Sequence, residues 1–333
     1  MLILGIESSC DETAVALVRD GSTVLSNVIS SQVDIHSRFG GVVPELACRA
    51  HQESLIPLLK QALQEARVTL HDVEAVAVTY GPGLIGALMV GLSAAKAIAM
   101  VYDIPLLAVN HIEAHMYANL MADASITVPC IGLIVSGGHT LLSHVRDWGD
   151  YEVLGQTCDD AAGEAFDKVA KMMGLAYPGG PIIDQMAKDG NAQAIPFPRA
   201  RIKDNPYGFS FSGLKTSVLY YIRENPDYVP EDVAASFQEA VVDVLCKKSF
   251  QAAKAKAVAH VIVGGGVSLN SRLREHMQAE GKVQGIDVFF PDFMFSADNA
   301  GMIAGLAYQQ FQKGVIHPLD VDAVPNLPLL NWG

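Results

Sequence analysis

Two histidines four residues apart are the first residues whose types and spacing indicate a chemistry. His111 and His115 follow the apolar run 105–109, so the sequence predicts a strand that leads directly into a helix. Side chains at i and i+4 share one face of a helix, where two neutral imidazoles can hold one divalent metal ion. Histidines also meet at this spacing by chance on solvated helices, and the pair alone does not separate the two interpretations.

Glu113 argues against one class of metal enzyme, the zinc metallopeptidases. Their motif is His-Glu-x-x-His, in which the general-base glutamate directly follows the first metal ligand. Here the order is His-x-Glu-x-His. Glu113 therefore points about 200° away from His111 around the predicted helix. A zinc metallopeptidase remains an alternative, but its base is not in the expected place.

Three turns rich in glycine and hydroxyl residues are suited to phosphate binding. They span residues 5–13, 134–140 and 261–270. Glycines let backbone N–H groups approach a phosphate closely, and the third turn leads into a predicted helix start, where anions bind. It has neither the lysine of a Walker loop nor the dinucleotide fingerprint. Each turn could be an ordinary one by itself, but together they predict a nucleotide site.

The predicted secondary structure repeats once along the chain and would place these residues in two lobes. The first repeat has the order β-β-β-α-β-α-β, with strands at 2–6, 13–18, 23–29, 75–79 and 106–109 and helices at 44–66 and 84–102. The second begins after the histidine helix, with strands at 130–136, 140–145, 151–154, 260–263 and 286–290 and helices at 161–173, 233–259, 269–280 and 298–311. We therefore predict an α/β fold of two duplicated βββαβαβα lobes with a nucleotide cleft between them.

The predicted domains are residues 1–110 plus 300–333 and residues 111–299. A chain of 333 residues suits two domains. The second contains an insertion at 174–217 that is dense in proline and glycine, and a connection of that length is usually functional.

The remaining composition indicates a reduced cytosolic protein. The apolar run 84–102 is almost long enough to span a bilayer, but Lys96 lies near its centre, so the better prediction is a buried helix packed against a sheet. The five cysteines are scattered, and no basic segment precedes Glu7 at the N-terminus.

The net charge of −13 argues against strong autonomous binding to nucleic acid, because Lys and Arg supply most of that affinity. A nucleic-acid partner would need a local basic patch. The insertion contains such a cluster, in which basic and aromatic residues alternate: Arg199, Arg201, Lys203 and Lys215 among Phe197, Tyr207, Phe209 and Phe211. The cluster predicts contact with RNA by phosphate pairing and base stacking.

Paired hairpins in two lobes resemble the actin, sugar-kinase and heat-shock-chaperone ATPase superfamily, which has an actin-like ATPase or ribonuclease H-like fold. Nine motifs resemble one family more closely: Gly5–Thr13, Gly40–Glu45, Gly81–Leu84, His111–His115, Val135–Thr140, Asp159–Lys168, Tyr177–Pro181, Phe209–Lys215 and Gly264–Val267. This is the bacterial tRNA threonylcarbamoyladenosine transferase (TsaD) family, once labelled O-sialoglycoprotein endopeptidase. The resemblance runs from Leu4 to about Gly305.

The resemblance implies transfer of a threonylcarbamoyl group from threonylcarbamoyl-AMP to N6 of adenosine 37, in tRNAs that read codons beginning with adenine. Such a mixed anhydride is already activated, so the enzyme mainly positions it and stabilises the leaving AMP. The resemblance further implies a cytoplasmic enzyme that works with a TsaB-like pseudo-paralogue and a TsaE-like ATPase, and not at a membrane. An actin-like ATPase without a tRNA substrate is a second alternative, weakened by the lack of a phosphate-binding lysine in the hairpins.

The resemblance also implies the site residues. One divalent metal ion per subunit, Fe(II) before Zn(II), is held by His111, His115 and Asp298. Asp298 also stands where a helix N-cap is expected, and the two roles compete. Asp11 is the residue chosen to assist deprotonation of the adenine amine. The acyl-adenylate is held by Ile134, Val135, Ser136, Gly137 and Gly138 at its phosphate and threonyl portion, and by Asp167, Gly180 and Asn270 at its nucleoside, with Asp184 as a further candidate for the ribose.

Overall fold

The structure is a computed structural model that describes residues 1–332, and the chain divides into two compact units. The first comprises Met1–Ala124, Trp148–Asp150 and the chain from Pro291 onward, and the second comprises Ser125–Asp147 and Tyr151–Phe290. The predicted boundaries at 110/111 and 299/300 differ from this division. The helix that carries the two histidines packs against the helix that follows Asn299, and these contacts keep both in the first unit.

The elements of the first unit, in chain order, are β1 (Leu2–Glu7), β2 (Glu12–Arg19), β3 (Thr23–Ser31), α1 (Val33–His36), α2 (Pro44–Ala66), β4 (Ala75–Gly81), α3 (Ile85–Tyr102), β5 (Leu106–Asn110) and α4 (His111–Ala122). Those of the second are β6 (Cys130–Val135), β7 (Thr140–Asp147), β8 (Asp150–Gln156), α5 (Ala162–Met172), α6 (Gly179–Met186), α7 (Ser212–Glu224), α8 (Pro230–Lys256), β9 (His260–Gly264), α9 (Ser271–Gln284) and β10 (Asp287–Phe289). The chain then returns to the first unit with α10 (Phe293–Ser296) and α11 (Ala300–Gln312). Short 3-10 turns lie at Ser37–Phe39, Leu70–Asp72, Ala187–Asp189 and Gly266–Leu269.

Both units contain a five-stranded mixed sheet with the same strand order. The first sheet has the order β3-β2-β1-β4-β5, and the second has the matching order β8-β7-β6-β9-β10. In each, the opening strand pairs antiparallel with the next strand and parallel with a later one. The predicted duplicated α/β fold is therefore confirmed.

Helix α11 lies directly over strand β1 of the first sheet. The two elements are in contact, and a Cβ atom on Gly5 would collide with the carbonyl oxygen of Ala300. Glycine at this position therefore allows the first turn of α11 to approach the strand closely. The approach brings Asp298, just before α11, towards the carboxyl end of β1.

Helix α3 is less buried than the sequence predicted. Its inner face packs on β4 and α2, but the opposite face leaves Ile85, Met89, Met100 and Val101 between 49% and 71% exposed. The helix is long and apolar enough to cross a membrane, with a third of it buried. Core helices of soluble proteins can be equally long and apolar, so these two properties do not assign α3 to a membrane.

The predicted insertion at 174–217 contains more regular structure than its composition indicated. Helix α6 begins at Gly179, and α7 begins at Ser212. Pro178 and Pro181 resemble a turn in sequence, but prolines are compatible with the first turn of a helix, whose N–H groups have no intrahelical partner. That compatibility explains why the prediction missed α6.

Candidate metal centre and nucleotide-binding turns

Strand β5 passes into helix α4 without a connecting loop, and this junction positions the two histidines. Asn110 ends the strand and caps the helix, because its side-chain oxygen accepts hydrogen bonds from the backbone N–H groups of Ile112 (2.9 Å) and Glu113 (3.3 Å). His111 is the first residue of α4, and its ring lies 4.6 Å from that of His115. The predicted pairing of the two imidazoles on one helix face is what the structure shows.

Asp298 completes a cluster with the two histidines. Its Oδ1 atom lies 3.0 Å from Nε2 of His115 and 3.4 Å from Nε2 of His111. Three donor atoms, each about 2.1 Å from one ion, are at most about 4.2 Å apart, so both distances suit a shared divalent ion. Asn299, not Asp298, caps α11 by accepting a hydrogen bond from the N–H of Met302 (3.0 Å). Asp298 is therefore not the helix N-cap, and the competition between capping and metal binding that the sequence indicated does not arise.

Glu7 is a buried partner of His111 that the sequence analysis did not identify. Its Oε2 atom lies 3.0 Å from Nδ1 of His111 and accepts a hydrogen bond from the Thr79 hydroxyl (2.5 Å). An ionised carboxylate can only accept hydrogen bonds, so Nδ1 carries a proton and Nε2 is the nitrogen that a metal ion can bind. The only sequence signal for Glu7 was its place at the end of an apolar strand, beside the glycine- and hydroxyl-rich turn.

The charges around this cluster favour a cation. Burial by itself would raise the pKa of Asp298, but the His111 and His115 imidazoles outweigh it and hold that pKa below its usual range. Burial lowers the pKa of His111, but the Asp298 and Glu7 carboxylates raise it by more, so the pKa of His111 lies above its usual value. Burial, together with Asp298 and Asp11, raises the pKa of Glu12 to about 9. The residues present therefore fit a divalent ion, which would relieve the repulsion among these carboxylates.

The C-terminal segment covers another side of α4. The Trp332 indole N–H donates a hydrogen bond to Glu113 (3.2 Å), and the Asn110 amide donates one to the carbonyl of Pro328 (2.9 Å). Glu113 therefore binds the C-terminal segment, away from the ring nitrogens that converge on Asp298. This position contradicts a role for Glu113 as the base of a peptidase.

The turn between β6 and β7 in the second unit is closed by its own polar groups. The backbone N–H of Ser136 donates to the carbonyl of His139 (2.8 Å), and the N–H of His139 donates to the Ser136 hydroxyl (3.1 Å). Gly137 and Gly138 are exposed, and a Cβ on either would meet nothing within 4 Å. Ile134 and Val135 are buried in β6, so they can offer a ligand only backbone atoms.

The start of α5 lies against this turn. The N–H of Gly163 donates to the carbonyl of Ser136 (3.1 Å), and a Cβ on Gly163 would approach that oxygen to 2.6 Å. A Cβ on Gly265 would likewise approach the carbonyl oxygen of Val135, to 2.5 Å. The two glycine turns of the second unit thus meet beside a helix N-terminus, an arrangement suited to an anion.

The four candidates for the nucleoside lie on α5 and α6 and at the start of α9. Asp167 accepts a hydrogen bond from the N–H of Gly179 (2.7 Å), next to Gly180. Asp184 accepts one from the hydroxyl of Ser271 (2.8 Å). Asn270 caps α9 and donates to Gln238 (2.7 Å). The structure therefore gathers these residues, and the three side chains already make hydrogen bonds within the unit.

The basic and aromatic cluster predicted for RNA binding is mostly engaged within the fold, and that prediction needs correction. Arg199 donates two hydrogen bonds to Asp243 (3.0 and 2.7 Å), and Lys215 is paired with Asp160 (2.5 Å). Phe197, Phe209 and Phe211 belong to the core of the second unit. The hydrophobic effect, not stacking on RNA, explains these aromatic residues. Arg201 and Lys203 remain exposed.

Comparison with known proteins identifies the family. Residues 23–305 match the family model described as TsaD, tRNA N6-adenosine threonylcarbamoyltransferase. The chain belongs to this family. It is 51% identical to the tRNA N6-adenosine threonylcarbamoyltransferase of Clostridioides difficile (strain 630), over 99% of this chain and 98% of that protein. It is 53% identical to that of Symbiobacterium thermophilum, over 98% and 97% of the two chains.

Two solved structures are similar in fold. Full-length HypF in its phosphate- and nucleotide-bound form has a TM-score of 0.64 at 15% identity, over 94% of this chain and 56% of that one. Component A of the Acidaminococcus fermentans (R)-2-hydroxyglutaryl-CoA dehydratase has a TM-score of 0.56 at 12% identity, over 93% and 98%. These likenesses agree with the predicted actin-like ATPase type of fold.

Family membership makes this chain a metal-dependent transferase that modifies tRNA. The two alternatives, a zinc metallopeptidase and an actin-like ATPase without a tRNA substrate, are not favoured by these findings.

Proposed function

We propose that this chain transfers the threonylcarbamoyl group of threonylcarbamoyl-AMP to N6 of adenosine 37, in tRNAs that read codons beginning with adenine. The observation that carries the proposal is the convergence of His111, His115 and Asp298 around one point, with Glu7 behind His111, in a member of a tRNA-modifying transferase family.

His111, His115 and Asp298 would hold one divalent ion per subunit. Two imidazoles and one carboxylate suit Fe(II) first and Zn(II) second, and leave coordination positions open for substrate oxygens. When bound, such an ion supplies a Lewis acid that polarises a substrate oxygen. Glu7 holds His111 in the tautomer that this role requires.

The adenylate would bind to the second unit. Its phosphate and threonyl portion fit the exposed backbone of Ser136, Gly137 and Gly138, with Ile134 and Val135 contributing main-chain atoms. Its nucleoside fits the junction of α5, α6 and α9, where Asp167, Gly180, Asp184 and Asn270 lie. The open space at Gly137, Gly138 and Gly180, where a Cβ would meet nothing within 4 Å, supports this assignment. Substitution of any one of these four residues should lower the affinity of the chain for the adenylate.

Asp11 would accept the proton that leaves the adenine amine as it attacks. Burial raises the pKa of the neighbouring Glu12 carboxyl, and the negative charges of Asp298 and Asp11 add to the increase. Glu12 is thereby less suited to accept a proton, and Asp11 is the member of the pair that we assign as base.

A TsaB-like pseudo-paralogue would dock on the exposed apolar face of α3, formed by Ile85, Met89, Met100 and Val101, together with the exposed side of α2. Ile85, Met89 and Met100 share one face of α3 with the half-buried Lys96, and exposed apolar side chains at helical spacing are typical of an interface between helices. A TsaE-like ATPase would complete the assembly in the cytoplasm.

The test is reconstitution. The chain, its two partner proteins, unmodified tRNA and threonylcarbamoyl-AMP are combined, and the tRNA is digested and analysed for N6-threonylcarbamoyladenosine by mass spectrometry. We expect the modified nucleoside with the wild-type chain and its loss with Asp298→Asn. Peptide cleavage, or ATP hydrolysis independent of tRNA, in place of the modified nucleoside would instead support one of the alternatives.

A further inference from the structure

A cavity of about 820 Å³ lies beside α8 in the second unit, apart from the residues assigned to the adenylate. Lys247, Gln251 and Lys254 line it at positions i, i+4 and i+7, so one face of α8 is directed into it. Arg201, from the segment between α6 and α7, lines the same cavity. We refer to this space as the α8 cavity.

The cations of the α8 cavity are available to a ligand. Arg201, Lys247 and Lys254 are exposed, and none has an ion pair or side-chain hydrogen bond among the residues that the structure describes. Of the two carboxylates that line the cavity, Asp243 is already neutralised by Arg199 at 2.7 Å, which leaves Glu280. The cavity is therefore locally basic in a chain whose net charge is −13.

A metal ion is not the ligand that this region favours. Glu239, Asp243 and His276 come close enough to share an ion. However, Glu239 accepts two hydrogen bonds from Arg272 (2.6 and 2.8 Å), and Asp243 accepts two from Arg199. A cation would have to displace two guanidinium groups, whereas an anion meets three cations without partners.

We propose that the α8 cavity binds the phosphodiester backbone of the tRNA substrate through Arg201, Lys247 and Lys254, an inference that rests on the proposed function. Phosphate contacts from Lys and Arg supply most of the affinity of proteins for nucleic acids. In an acidic protein such contacts must be concentrated in a local patch. Lys247 and Lys254 stand about 10 Å apart along α8, which allows one strand to be held at successive points.

The test measures binding of unmodified tRNA to the full chain as a function of salt concentration. Lys247→Ala, Lys254→Ala and Arg201→Ala should each make the slope of log K against log[salt] shallower by about one. The triple variant should raise the KM for tRNA on the order of tenfold near physiological salt, with the KM for threonylcarbamoyl-AMP unchanged. All three side chains are exposed, so the variants should keep the wild-type melting temperature.

The matched control is Arg223→Ala, which removes an exposed cation of the same unit that does not line the α8 cavity. An unchanged salt slope and KM in the triple variant, or an equal change in the control, overturns the proposal. Displacement of tRNA by inorganic pyrophosphate at the same phosphate concentration also overturns it, because the cavity would then be a site for small anions. Wild-type formation of the modified nucleoside, measured in parallel, separates failure of this inference from failure of the proposed function.

Discussion

Replacement of Glu7 by glutamine probes the hydrogen bond that orients the proposed metal ligand His111. Glu7 is fully buried, and its Oε2 atom meets Nδ1 of His111 at 3.0 Å. Glutamine has the same shape, and its oxygen can still accept the hydrogen bond that the N–H of Ser9 now donates to Oε1 (2.5 Å). Its NH₂ group then faces Nδ1 and the Thr79 hydroxyl. In this orientation two donors face each other, so we expect Nδ1 to become the acceptor and the proton to move to Nε2, the nitrogen proposed to bind the metal.

The expected magnitude follows from this change of tautomer. Loss of the carboxylate behind a metal-bound histidine typically weakens metal affinity by about 10- to 100-fold. That range corresponds to about 1.4–2.8 kcal/mol of binding free energy. We expect Fe(II) and Zn(II) to bind Glu7→Gln more weakly by this amount, as measured by competition with a chromophoric chelator on the metal-free protein. The melting temperature should also rise less on addition of metal than it does in the wild type.

Glu113→Gln is the matched control for this experiment. Glu113 is also buried and lies on α4 itself, but it binds Trp332 instead of a histidine. The same chemical change there should leave metal affinity within about threefold of the wild type, since the side chain does not orient a proposed ligand. If Glu7→Gln binds metal as tightly as the wild type, or if both variants lose affinity equally, the reasoning about the His111 tautomer is refuted.

Three further predictions concern the rest of the chain. Asp159 accepts hydrogen bonds from the hydroxyls of Ser210 (2.5 Å) and Ser212 (2.6 Å) and the N–H of Phe211 (2.8 Å), so Asp159→Asn should cost about 1–2 kcal/mol of unfolding free energy, allowing for its partial exposure. These hydrogen bonds outweigh the effect of burial and lower the pKa of Asp159. The contribution of Asp159 to the unfolding free energy is therefore present above pH about 3.9 and is lost as the pH falls further. Urea titrations should show a smaller difference in unfolding free energy between variant and wild type at pH 3 than at pH 7. Met89→Asp should leave the unfolding free energy within about 0.5 kcal/mol, because the side chain is exposed, but should weaken binding of the TsaB-like partner at least tenfold by calorimetry; equal affinity would move the interface away from α3. Trp332→Phe should destabilise the protein by about 1–3 kcal/mol, because it removes the indole N–H that donates to the buried Glu113 carboxylate. Thermal unfolding that matches the wild type would show that the C-terminal segment does not support α4.

Local patterns in the sequence were sufficient for most of the fold. Period-two and helical spacing of apolar residues located α2 at its observed bounds and the principal strands to within a few residues, because each element buries one face or a continuous run. The repeat of this order correctly indicated two sheets of one topology. The proline- and glycine-rich start of α6 misled the prediction, since the same residues suit a turn and the first turn of a helix.

At the candidate metal centre, spacing alone determined that His111 and His115 share a helix face, because that relation is internal to one helix. The contact between His115 and Asp298 joins residues that are 183 positions apart in the chain, and the contact between His111 and Glu7 joins residues that are 104 positions apart. The close approach of α11 to Gly5 brings Asp298 to this site. Likewise, the sequence placed Arg199 and Arg201 in one basic cluster, but only the fold turned Arg199 onto Asp243 and left Arg201 exposed. Composition and periodicity report which groups are available. Which of them are neutralised, oriented or left open to a ligand depends on long-range packing, and packing is decided by the tertiary structure.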